Sequence, residues 1–117
     1  MRSISVQVQP ERSPGIDMSV VDAEFEAIAS NTEMVAHHSF SSGSDHGAYF
    51  NYTFGAKRPR KLWQEIKTRL YQNQLTAPHM KRASMAMCSN ENGWDDYLQL
   101  FHFDPTVKLD STDGLPE

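Results

Sequence analysis

Apolar and polar residues alternate from the first residues of the chain: Ile4, Val6 and Val8 are interleaved with Ser3, Ser5, Gln7 and Gln9. A period of two predicts a strand with one buried face. Pro10 stops it, and Pro14-Gly15 signals a turn. Val21, Phe25 and Ile28 then fall at near-helical spacing, which predicts a helix within residues 16–28. Asp17 or Ser19 is suited to cap it, and Asp22, Glu24 and Glu26 suit its N-terminal half, where the helix dipole favours acids. The same apolar residues are good strand formers, so a strand is the competing reading.

Residues 33–41 and 46–54 read as a hairpin linked by Ser42-Gly43-Ser44-Asp45, which is turn chemistry. In the second strand Ala48, Phe50, Tyr52 and Phe54 share one face, and Tyr49, Asn51 and Thr53 the other. In the first strand Met34, Ala36, His38 and Phe40 form the expected inward set. Gly55-Ala56 ends the segment. Pro59 fits the first turn of a helix running to about Gln74, in which Leu62, Ile66 and Leu70, with Trp63 beside them, make one apolar stripe. Pro78 is expected to close the connection that follows.

Residues 81–89 and 95–103 predict a second hairpin around Asn90-Glu91-Asn92-Gly93, since Asn-Gly tolerates positive φ. Ala83, Met85 and Met87 alternate with Ser84, Ala86 and Cys88. Tyr97, Phe101 and Phe103 alternate with Leu98, Leu100 and His102. Apolar residues on both faces predict an interior strand or an edge that a partner covers. From Thr106 the chain is polar, and a mobile tail is expected.

The order strand, helix, strand, strand, helix, strand, strand predicts an α+β domain over residues 1–105, followed by a flexible tail over 106–117. Its antiparallel sheet has about five strands with two helices on one face, the ferredoxin-like element order plus one strand. That architecture hosts many unrelated activities, so function must be read from the residues.

Composition narrows the classes. The chain has 117 residues, 38% of them hydrophobic and 22% charged, which fits a folded single domain. One cysteine, Cys88, excludes an internal disulfide and a multi-cysteine zinc site. No apolar run is long enough to span a membrane, and Met1–Pro10 lacks a signal-like hydrophobic core, so a cytoplasmic protein without membrane association is expected.

Charge is strongly segregated. Residues 57–82 hold eight basic residues against Glu65 alone, a net +7, whereas the rest of the chain has three basic and fourteen acidic residues, a net −11. Lys57, Arg58, Arg60 and Lys61 surround a helix N-terminus, where the helix dipole opposes cations. With Lys67 they are candidates for docking an anion, either phosphate or a carboxylate patch. Trp63 and Tyr71 are candidates for base stacking, although Trp63 also belongs to the apolar stripe. Lys61, Glu65 and Arg69 form an i, i+4, i+8 ladder that also suits a plain solvated face.

Five histidines, His37, His38, His46, His79 and His102, are candidates for a metal or acid–base site. A tight return after residue 41 places His37 or His38 near His46, with Asp45 beside it, but adjacent His37 and His38 point to opposite faces and no recognised metal spacing occurs. The Ser41–His46 span holds serine, aspartate and histidine without a strand–elbow–helix context. Cys88 has His102 on the neighbouring strand as its only candidate partner. Tyr49 and Trp94 are aromatic residues expected outside the core, as interface anchors. The leading expectation is a non-catalytic protein-binding domain, an inhibitor or adaptor, monomeric or homodimeric, with no cofactor and no metal. It engages its partner through Lys57, Arg58, Arg60, Lys61, Lys67, Tyr49 and Trp94, and its acidic segments 22–33 and 91–96 are suited to a basic partner. Nucleic-acid binding through residues 57–82 is the alternative, which the overall pI near 5.7 opposes. A small enzyme with a histidine-centred site is the third.

Overall fold

The alternating N-terminal segment becomes the centre of the sheet. In the computed structural model, which describes residues 1–117, strand β1 spans Arg2–Val8, with Ile4, Val6 and Val8 fully buried. It pairs antiparallel with β3 (Ala48–Ala56) on one side and β4 (Ser84–Asn90) on the other. Strand β2 (Val35–Ser44) lies outside β3, and β5 (Gly93–His102) outside β4. The order is β2-β3-β1-β4-β5 with every neighbouring pair antiparallel. The first four strands have the split βαβ arrangement, and β5 is the added strand.

Helix α1 (Met18–Ala29) begins at Asp17, whose carboxylate accepts the amide of Ser19 at 3.0 Å. That cap and the inward stripe Val21, Phe25, Ile28 decide for helix over strand. Helix α2 (Pro59–Ile66) continues into a π-turn, Lys67–Tyr71, so Leu70 and Tyr71 are both buried. The expected helix to Gln74 therefore ends near Gln72. Pro78 does not close the connection. It lies in the first turn of a third helix, α3 (Ala77–Ala83), where its missing N–H leaves nothing unpaired. Residues 81–83 are helical as a result, and β4 starts at Ser84. The Tyr71 hydroxyl meets Ser84 Oγ at 2.6 Å, and Ser84 Oγ donates to the Met80 carbonyl at 2.6 Å, which ties α2, α3 and β4 together.

The helices share one core with the same face of the sheet: Ile4 and Val6, Tyr52 and Phe54, Ala86 and Cys88 pack with Phe25, Leu62, Ile66 and Met80. Periodicity left open which face of β4 turns inward. The small residues Ser84, Ala86 and Cys88 do, and Met85 and Met87 lie on the opposite face. In β5 a register shift opposite Ala86/Met87 breaks the expected alternation. Phe101 and Leu98 pair with Ala86 and Cys88, Leu100 is buried, and Tyr97 is left exposed. The Gln99 amide donates to the carbonyls of Ala86 and Phe101, filling hydrogen bonds that the irregularity would otherwise leave open.

The first hairpin returns later than expected. Asp45-His46-Gly47 forms the turn, with φ of 57° at His46 and 137° at Gly47. Ser42, Gly43 and Ser44 belong to β2 instead, and the Tyr49 ring covers Gly43 from the paired position, where a Cβ would collide with it. At the other end of β2 the register shifts between Val35 and His37. Val35 is consequently the buried residue, whereas Ala36, His38 and Phe40 are exposed.

Residues 106–117, expected as a mobile tail, are seated against the domain. Asp110 exchanges two hydrogen bonds with the Gln99 backbone, at 2.9 and 2.7 Å, along the outer edge of β5. Leu115 is buried in the core at 2% exposure. Strand β5, expected as an interior strand or as an edge that a partner covers, is an edge strand partly covered by the chain itself.

Candidate docking surface

Helices α1, α2 and α3 pack on one face of the five-stranded sheet but do not cover it evenly. At the β5 end the tail adds cover, whereas at the β2 end the cover is partial. His38 and Phe40 do face the helical side, as the alternation requires, and line an open groove beside α1. Phe40 is 57% exposed.

The result is a groove of about 340 Å³ between α1 and the β2–β3 pair. Asp22, Phe25 and Glu26 contribute from α1, and His38, Phe40 and Tyr52 from the sheet. Its aromatic rings form a continuous run. Phe25 stacks on Tyr52 with centroids 4.0 Å apart, Tyr52 meets Phe40 at 5.3 Å, and Phe40 stacks on Phe50 at 6.0 Å. The Tyr52 hydroxyl donates to the Asp22 carboxylate. Desolvation raises the Tyr52 pKa most, and the Asp22 hydrogen bond and charge add to it, so the phenol stays protonated and Asp22 stays the acceptor. Asp22 and Glu26 are exposed acids along the rim. Strand β2 offers its outer backbone edge beside this groove. Its sequence, VAHHSFSSGS, carries no Lys, Arg, Asp, Glu or Pro, the residues that commonly guard an open edge. The alternation that puts Phe40 on the helical side was legible in the sequence, but it predicted a buried Phe40, and the side chain is exposed. The groove was not legible, because it depends on how α1 lies beside the β2–β3 pair.

Several members of the basic cluster are engaged within the chain. Lys57 Nζ donates to the Thr32 carbonyl at 2.8 Å and so ties the turn after α1. Arg60 is occupied by the tail: its backbone N–H donates to Pro116 O at 3.1 Å, its guanidinium donates to Asp113 O at 2.6 Å, and Glu117 lies 3.7 Å away. The tail carbonyl therefore caps the start of α2, where Arg58 makes no side-chain cap. Arg69 is held by Glu65 at 2.6 Å and Glu24 at 3.5 Å. Lys67 lies 5.9 Å from the Trp63 ring. Arg58 and Lys61 form no ion pair. Trp63 and Tyr71 are buried and present no ring to a base.

Tyr49 and Trp94 lie apart from the groove and from each other. Tyr49 is half-buried on the open face of the sheet, in a polar hollow with Glu11, Arg12 and His46. That face is a self-paired polar ladder, with Ser5 to Thr53 at 3.0 Å, Gln7 to Asn51 at 3.0 Å and Asn51 to Ser41 at 3.3 Å. Trp94 is 46% exposed at the start of β5, near the opposite edge of the sheet.

The histidines stay separate. His37 covers Gly55 on the open face, His38 lines the groove, and His46 sits at the hairpin tip. Because the chain returns at 45–47, His38 is roughly 20 Å along the strand from that tip. No three His, Cys, Asp or Glu side chains converge. Cys88 faces the core opposite Leu98, while His102 pairs with Met85 further along β4, so they make no thiol–imidazole pair. Burial pushes the Cys88 thiol up to about 11.

A serine–histidine contact arises where the sequence gave no hint of it: Ser13 Oγ lies 2.7 Å from His79 Nδ1 and also accepts from Arg82 Nε at 3.3 Å. Ser13 is 1% exposed and lines neither hollow described above. A nucleophile must reach its substrate, so this contact is a tie between the loop before α1 and helix α3. Comparison of the chain with protein-family models, curated proteins and solved structures gave no match.

Proposed function

We propose that this chain is a non-catalytic protein-binding domain, an inhibitor or adaptor, that docks its partner on the β2 edge and the aromatic groove beside it. The observation that carries the reading is Phe40, 57% exposed over a floor of packed aromatic rings on an uncharged outer strand. Exposed aromatic residues over a desolvated pocket are typical binding anchors. The acids Asp22 and Glu26 at the rim, with Arg58 and Lys61 elsewhere on the surface, give the oppositely charged regions that steer a partner. Nucleic-acid binding has less in its favour, since the stacking candidates Trp63 and Tyr71 are buried and Lys57, Arg60 and Arg69 are engaged within the chain.

Capture from native cell extract, followed by mass spectrometry, tests this reading by comparing variants. Phe40→Asp should keep the melting temperature and lose the captured partner. Arg58→Glu with Lys61→Glu should retain it, with slower association at most. A folded Phe40→Asp variant that captures the same partner equally well refutes the reading.

A further inference from the structure

We infer that the occupant of this surface is an extended, basic polypeptide segment, added to β2 as a sixth strand, with an apolar side chain over Phe40 and a Lys or Arg on either side reaching Asp22 and Glu26. The inference rests on the docking reading above and specifies its partner.

Three observations point to a strand. Strand β2 is outermost in the sheet and pairs only with β3, so alternate backbone N–H and C=O groups along it face outward. From His37 to Ser44 it keeps a regular register with β3, long enough for several main-chain hydrogen bonds to a new neighbour. It also lacks the charge or proline that would repel such a neighbour. A strand laid there turns alternate side chains to the helical side, where the groove runs along α1. A single apolar side chain fits beside Phe40 and Tyr52, and the residues two before and two after it lie near the rim.

Charge selects the occupant. The groove is lined by Asp22 and Glu26 and by no Lys or Arg. A second copy of the chain docking β2 against β2 would bring only His37 and His38 as potential cations, and a second pair of the same acids. Like charges brought together oppose association, whereas Lys or Arg from a foreign segment complements them.

The probe is a fluorescein-labelled peptide alternating threonine with lysine, phenylalanine and lysine. Two control peptides accompany it: one with glutamate for both lysines, and one of the same composition with the alternation scrambled. Anisotropy titrations should show the lysine peptide binding at least ten-fold more tightly than either control, and weakening as salt is raised. Glu26→Gln should reduce affinity about three- to ten-fold and flatten the salt dependence, and Phe40→Ala should reduce it ten-fold or more. In NMR hydrogen exchange, every second amide between residues 37 and 44 should slow in the complex.

Equal binding of the glutamate peptide, or no slowing of the β2 amides, overturns the basic strand while leaving the docking reading intact if Phe40→Ala still weakens the peptide. Binding that is indifferent to Phe40 defeats both. Absence of binding at millimolar peptide overturns the inference. So does a homodimer seen by sedimentation that Phe40→Asp dissociates, because the occupant is then a second copy.

Discussion

Leu115 offers the sharpest test of the fold, because the sequence pattern places it in a mobile tail and the structure places it in the core. Replacing it with alanine removes most of a buried leucine side chain whose burial is worth about 1.5–3 kcal/mol. Leu→Ala in a rigid core costs about 2–5 kcal/mol. Here the cost has a ceiling, since the tail can detach and lose only what its docking contributes. That docking includes the Pro116 and Asp113 carbonyls on Arg60 and the Asp110–Gln99 pair, each hydrogen bond worth about 0.5–1.5 kcal/mol net. A loss of about 2 kcal/mol is therefore expected for Leu115→Ala. In urea, with a slope of about 1–3 kcal/mol per molar, the midpoint should fall by about 1 M. By scanning calorimetry the melting temperature should fall by about 8 °C. Deleting residues 106–117 should cost at least as much, because it also uncovers the edge of β5. Hydrogen exchange gives an independent check: the Arg60 amide, bonded to Pro116, should exchange faster in both variants. Unchanged midpoints together with an unchanged Arg60 amide would refute the packed tail and restore the mobile one.

Ile66→Ala and Leu70→Ala should each cost about 2–5 kcal/mol by chemical denaturation, since both side chains are fully buried under α2 and the π-turn. Arg58→Glu with Lys61→Glu should leave stability equal or raise it by about 0.3–1 kcal/mol per site at low salt, whereas Arg60→Ala should lower it, because only Arg60 is bonded to the tail. The two variants separate in a thermal melt, and equal effects would show that the tail contact carries no stability. For Cys88 the folded thiol sits at about 11 against an ordinary 9.0. Its contribution to stability is therefore complete below pH 9 and is lost as pH rises from 9 to about 11. Thiol-reagent labelling at pH 8 should be slow in the native protein and fast in urea, and rapid native labelling would contradict the burial.

Periodicity in the sequence was enough for β1 and for Leu62, Ile66 and Leu70 on α2, because each is a local repeat that has only one way to bury its apolar side, whereas α1 stayed open between helix and strand until its cap at Asp17 decided it. Periodicity was enough for the α+β class and for the split βαβ order with an added strand, because element order constrains which strands pair. It was not enough wherever two segments meet. Gly43 reads as a turn residue and becomes a strand residue, since Tyr49 across the ladder fills the space above it. Pro78 reads as a breaker and starts a helix, since the first turn requires no N–H from it. Arg60 reads as a surface cation and becomes the anchor of a tail that approaches it from 53 residues away. The candidate docking groove belongs to the same class. Phe40 and Tyr52 are visible as strand aromatics on one face, and Asp22 as a helical acid. Their meeting depends on strand order and on how α1 lies beside the β2–β3 pair. Most elements, though not α3 or the inward face of β4, were legible from local residues, because propensity and period act over a few positions. Which apolar surface stays open emerges only in the folded chain, because it depends on how the three helices lie across five strands and on where the last residues come to rest.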